Sequence, residues 1–342
     1  MQKFVVFTDP NKDVDDLIAI MMLSSMQKDN LLKIVGIVST HGNDETTYKR
    51  ACFSQAVSNL LGNNLTVCAG IGKKLEDVNK DRSSNAFFAY DGINEIMNNC
   101  DKAKVQTNSL SYLTNVFKKA VDNSLDMLIL AQMTDIWNFV SKKPDLFLNK
   151  VRNVTIMGMY NKVNNEFVPD NSTNNVNDIE AANNFYKFLQ DNNILTNFIN
   201  RFAVKKVAVT LTLFKGFAKA NKQLGNYILN AEEASLKKLY EGLFNNEALK
   251  RQTPEWFYEN FTDIPQSEYE YFKNGGADEK YTNEVMNHMV KLNLYDPLTL
   301  IAAIDKFSNL FDYKSENNFR TLTPHSKAEI HQLFQKYLTN NK

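Results

Sequence analysis

A chain of 342 residues with 43% hydrophobic content has enough apolar material for a sizeable core and is too hydrophobic to be disordered. Its 39 basic and 39 acidic residues cancel, with no long basic block, which argues against nucleic acid or an anionic membrane as partner and for a small ligand. No apolar run reaches membrane-spanning length, and the N-terminus enters a strand without a basic-then-apolar leader, so a soluble, cytoplasmic protein is expected. Phe4–Phe7 reads as a buried strand and Leu17–Met22 as an apolar helical face, which leaves Asp9, Asp13, Asp15 and Asp16 in the loop between them. Further along, Lys33–Ser39 reads as a strand, Glu45–Leu61 as a helix capped by Asn43 or Asp44, and Leu65–Ile71 as a strand. Leu110–Val121 is predicted helical, Met127–Ala131 a strand, Ile136–Val140 a short helix and Val151–Met157 a strand; Asp178–Leu189 is a helix and Lys206–Leu213 another strand. Strands alternating with helices predict one α/β domain over 1–342, an open, mostly parallel, Rossmann-like sheet with helices on both faces. From about 230 to 291 the pattern changes to charged, aromatic-rich helices, read as a helical lid insertion that contains Trp256. Cys52, Cys68 and Cys100 lack metal or disulfide spacing and read as reduced core thiols.

The acidic loop is the most informative stretch, because in an open α/β sheet it lies at the carboxyl end of a strand, where ligands bind. Four carboxylates there repel one another unless a cation or a polyhydroxylated ligand compensates them. An EF-hand fails, since Val14 and Ile20 stand where that loop needs Gly and a bidentate Glu. An aspartyl-phosphatase reading meets Asn11 where its second Asp belongs. A hard-metal site using Asp9 and the Asp15-Asp16 pair competes with an acidic helix N-terminus favoured only by the macrodipole.

Several separated segments together resemble the inosine-uridine-preferring nucleoside hydrolase family. Thr8-Asp9-Pro10-Asn11-Lys12-Asp13-Val14-Asp15-Asp16 is similar to its D-x-D-P-G-x-D-D signature in a version two residues longer, with Phe7 in place of the first Asp. Gly42-Asn43, Met133-Thr134, Ile156-Met157-Gly158, Asn174 with Asp178–Ala182, and Tyr295-Asp296-Pro297 resemble the family's later motifs in the same order along most of the chain. The resemblance implies a calcium site of Asp9, Asp16, Asp296 and the Thr134 carbonyl, with Asp9 also acting as base. It implies ribose or substrate contacts from Asp15, Asn43, Met157 and Asn174, a base-stacking role for Trp256, and commonly a homodimer or homotetramer. Three departures concern the substrate: Tyr295 replaces the family's proton-donating His, Ser172 an acidic contact to the 5′ end, and Phe88–Gly92 the H-G-x-x-G element.

The expected activity is calcium-dependent hydrolysis of the N-glycosidic bond of a ribonucleoside, purine somewhat favoured, to ribose and free base. A ribosyl-binding protein without turnover and a hydrolase of a larger or modified ribosyl compound are the alternatives. Tyr295, with an ordinary pKa of about 10, is the candidate acid for the leaving base. His41, His288, His325 and His331 show no pairing and receive no catalytic role.

Overall fold

The computed structural model describes residues 1–71, 87–221, 224–245 and 252–339. Among the described residues thirteen strands are found: β1 Gln2–Thr8, β2 Leu32–Ser39, β3 Val67–Ala69, β4 Val105–Gln106, β5 Leu125–Ile129, β6 Val151–Met157, β7 Tyr160–Val163, β8 Glu166–Pro169, β9 Thr196–Ile199, β10 Val209–Thr210, β11 Lys291–Leu292, β12 Phe311–Glu316 and β13 Phe319–Pro324. Nine of them form one sheet in the order β12-β13-β9-β6-β5-β1-β2-β3-β4. Every neighbouring pair in it is parallel except the hairpin β12–β13.

Burial follows from the pleat. Phe4 and Val6 point into one apolar layer, Val5 and Phe7 into the other, and all four are fully buried. Helices Asp15–Lys28 (α1), Asp44–Leu60 (α2), Tyr295–Ala303 and Lys327–Thr339 supply the first layer, and Ser109–Lys119, Thr134–Lys142 and Ile179–Asp191 the second. Because α1 is buried from Asp16 to Met26, its apolar residues run all round instead of forming one stripe.

The topology fixes where a ligand can sit. From β1 the chain steps outward to β2, β3 and β4, then returns to β5 on the other side of β1. The β1/β5 junction is therefore the point at which the strand order reverses, and the crevice beyond the carboxyl ends of these strands is the natural binding place.

Two expectations need revision. Lys206–Leu213 is not a continuous strand: helix Arg201–Lys206 precedes the two-residue β10, and Thr210 then accepts the Leu213 N–H to start the helix Leu211–Ala220. The antiparallel hairpin β12–β13 also adds an edge that the sequence reading lacks. The aromatic-rich stretch forms helices Gly225–Gly242, Pro254–Phe261, Tyr269–Gly275 and Glu279–Asn287, while 246–251 lie outside the described residues. Among the described residues no helix is long and apolar enough to cross a membrane.

Candidate active site

The site begins where β1 runs out of hydrogen-bonded partners. Asp9, 6% exposed, follows the strand, and the loop closes on itself because Asp16 Oδ1 accepts both the Asp9 N–H at 2.9 Å and the Thr8 hydroxyl. Asp15 opens α1, and its Oδ1 accepts the Asp16 N–H at 3.1 Å. Asp296 enters from the start of helix Tyr295–Ala303, also buried, with its carboxyl within hydrogen-bonding reach of Asp16. Carboxylate oxygens of Asp13, Asp15 and Asp16 lie within 4.8 Å of one another, a spacing that suits a divalent cation.

These acids share a cavity of about 300 Å³. Met157 and Asn174 line it together with the apolar Trp256, Phe261 and Leu236, and with Tyr295 next to Asp296. Asn174 is oriented by donating its amide to the Leu130 carbonyl beyond β5, at 2.7 Å. Trp256 stands edge-on to Phe261, with ring centroids 5.6 Å apart.

Burial and crowding set the electrostatics. Asp9 is pushed up to about 6, chiefly by burial, while Arg50 and Lys12 oppose the shift. Asp15, Asp16 and Asp296 are raised well above the ordinary carboxylate value, again by burial first and then by neighbouring carboxylates. A cup of acids that resists ionising together is a donor set that fits a hard cation, because hard-oxygen coordination removes both penalties.

Of the sequence-predicted residues, Asp9, Asp15, Asp16, Met157, Asn174, Trp256, Tyr295 and Asp296 meet in this cavity. Asn43 and Thr134 are not among its lining residues. Asn43 is exposed and its side-chain oxygen accepts the Thr46 N–H at 2.9 Å, so the amide is engaged as the cap of α2. Thr134 is the first residue of its helix, and its hydroxyl donates to Asp178 at 2.6 Å.

Three features were missed. Arg50, fully buried in α2, brings Nη1 to 3.5 Å from Asp9 Oδ2 and donates to the carbonyls of Thr40 and His41 at 3.2 and 3.0 Å. An isolated Arg in a helix ordinarily reads as exposed, and only the small and apolar residues around it, such as Ala51, Phe53 and Ser54, hint otherwise. Asp135, standing where the family motif has Asn, is also buried; it accepts from Thr40, Ser109 and the Ile71 N–H and ties the ends of β2 and β3. Glu232, from helix Gly225–Gly242, faces the cavity as well.

A family model described as inosine-uridine preferring nucleoside hydrolase matches residues 4–332. Among solved structures, the type III effector protein XopQ complexed with adenosine diphosphate ribose is similar at 24% identity and TM-score 0.84, covering 99% of this chain and 92% of that one. The effector protein XOO4466 is similar at 24% identity and TM-score 0.83, covering 99% and 93%. A purine-preferring ribonucleoside hydrolase from Gardnerella vaginalis is similar at 14% identity and TM-score 0.63, covering 99% of each chain. No curated protein matches the chain significantly.

Proposed function

The chain belongs to the inosine-uridine preferring nucleoside hydrolase family, and from that premise we propose that it hydrolyses the N-glycosidic bond of ribonucleosides with calcium as resident ion. The observation that carries this reading is the convergence of Asp9, Asp16 and Asp296 with Asn174 in one cavity whose other side is apolar and carries Trp256. Asp9, Asp16, Asp296 and the Thr134 carbonyl are the proposed ligands. Held there, calcium supplies a polarised water and an anchor for the vicinal ribose hydroxyls.

The rest of the chemistry is assigned to the protein's own groups. Asp9 takes the proton of the attacking water, and Arg50 beside it favours the ionised form needed for that task. Asp15 and Asn174 hydrogen-bond the ribose, Met157 packs against it, and the surrounding carboxylates favour positive charge developing on the ring. Trp256 stacks on the base, with purines gaining most from its area. The helices between 225 and 287 act as the lid. Assembly as a homodimer or homotetramer belongs to the same proposal.

A second reading, in which the ligand is a larger ribosyl compound, has its own support. Ser172 Oγ is buried with no hydrogen-bond partner among the described residues, and Arg201, which forms no ion pair with any of them, lies where the cavity continues into a groove shared with Asp170 and Asn200. The similar XopQ structure was obtained with adenosine diphosphate ribose.

The test is release of reducing ribose from a panel of nucleosides and from adenosine diphosphate ribose, with calcium and after chelation, for the wild type and Asp9→Asn. Calcium-dependent release that Asp9→Asn loses while keeping its fold supports the assignment. Undiminished rates in Asp9→Asn would remove Asp9 as the base.

A further inference from the structure

A base leaving a ribosyl carbon departs with the electron pair of the C1′–N bond and needs a proton. Tyr295 is a poor donor for it, since a phenol of ordinary acidity holds its proton until about pH 10. The helix Gly225–Gly242 turns Glu232, Ser235, Leu236 and Leu239 toward the cavity, residues spaced so that they share one helical face. The acids of the cup come from the β1–α1 loop, from the first turn of α1 and from Asp296, and Asp170 follows β8. Glu232 is thus the one carboxyl that the lid helices bring to the cavity among the described residues.

Its surroundings suit a proton carrier. Among the described residues the Glu232 carboxyl has no hydrogen-bond or ion-pair partner. Asp13 faces it from the β1–α1 loop and Tyr90 from the segment before the helix Ile93–Met97. The nearby Lys238 does not neutralise it, because its Nζ lies 3.7 Å from the Phe88 ring centroid, against the aromatic face. Burial, and then the negative charge of Asp13, push Glu232 up to about 8.

We propose that Glu232 is a catalytic residue of this site, the general acid that protonates the departing base. The proposal rests on the N-ribosyl hydrolase reading. In the step, the C1′–N bond breaks and its pair goes to the base nitrogen, which takes the Glu232 proton. The water oxygen bonds to C1′, its proton goes to Asp9, and that proton returns to Glu232 through solvent, so one water is consumed for each ribose and base formed.

The experiment compares two leaving groups in Glu232→Gln, a near-isosteric change, and in Glu232→Asp. Inosine and adenosine need a proton on the base; p-nitrophenyl β-D-ribofuranoside releases a stable phenolate and needs none. The expected result is a fall of about 100-fold or more in kcat on the nucleosides for Glu232→Gln, the lower range for general acid catalysis. The rate on the nitrophenyl riboside should stay within about threefold of wild type, with partial recovery for nucleosides in Glu232→Asp. Equal losses on both substrates, a change confined to KM, or an unaltered nucleoside rate would overturn the assignment while the hydrolase reading stands. A wild-type protein that cleaves neither substrate would overturn both.

Discussion

Replacing Arg50 with Met, which keeps most of the volume and removes the charge, separates the cup's electrostatics from its packing. The guanidinium is fully buried and touches three acceptors through Nη1: the carbonyls of Thr40 and His41 and, at the longer distance of 3.5 Å, Asp9. Two stranded carbonyls cost about 1–3 kcal/mol each if nothing replaces the donor. Breaking a buried ion pair by removing one partner costs about 3–5 kcal/mol in all. The expected loss is therefore about 3–5 kcal/mol at pH 8 with chelator present, read by urea unfolding at constant slope. Part of it should vanish at pH 5. Asp9 titrates near 6, so below that value its carboxyl is protonated and little ion pair is left to lose, whereas the carbonyl contacts persist. Combining Arg50→Met with Asp9→Asn should give a coupling of about 1 kcal/mol or more. A loss below about 1 kcal/mol, or an equal loss at both pH values with no coupling, would refute the reasoning.

The raised carboxyls of Asp9, Asp15, Asp16 and Asp296 mean that the folded protein holds protons which the unfolded chain has released above its ordinary value of 3.8. Stability without a cation should consequently fall as pH rises from that value through about 6, the Asp9 value, and beyond. Calcium should then raise Tm strongly at pH 8 and little at pH 5, and a pH-independent gain would count against a cation in the cup. Asn43→Ala should cost about 1 kcal/mol through the lost cap of α2 and leave KM unchanged; a tenfold rise in KM would put Asn43 on the ribose. Trp256→Ala should raise KM for purine nucleosides by roughly 5- to 150-fold, the value of about 1–3 kcal/mol for a stacked base, and an unaltered KM would remove the stacking role.

The parts of the fold legible in the sequence are those where local pattern and burial agree. Phe4–Phe7 reads as a strand because it is buried on both faces, and the acids mark its end because a run of four carboxylates has no place in a purely apolar strand. Strands of two or three residues, such as β3, β4 and β10, leave too short a pattern to bound. The hairpin β12–β13 escapes because most of β12 beyond Phe311 is exposed and charged, so no buried face announces it. At the site, motif letters locate side chains only when those side chains are free to act. Asn43 occupies a binding motif, yet its oxygen accepts a backbone N–H. Arg50 and Glu232 are the converse: charged residues in helices, one turned toward Asp9 and the other toward the cavity by tertiary packing and not by their neighbours in sequence.

The longer loop shows how an apparent defect in a motif becomes a structural joint. Asn11 stands at the Gly of the family's D-P-G and has φ of 76°, a left-handed conformation that Asn tolerates better than most residues. Unlike Gly, it brings an amide: Nδ2 donates to the Tyr227 hydroxyl at 2.8 Å, and Oδ1 accepts the Phe88 N–H at 2.7 Å. The Tyr90 hydroxyl donates to the next carbonyl, that of Lys12, also at 2.7 Å. Tyr227 belongs to the same helix that presents Glu232, so the loop carrying Asp9 and Asp13 and the helix carrying Glu232 are joined by a buried polar bridge. A bridge of this kind fixes the distance between the two groups proposed to act on either side of the ribosyl bond, Asp9 as base and Glu232 as acid.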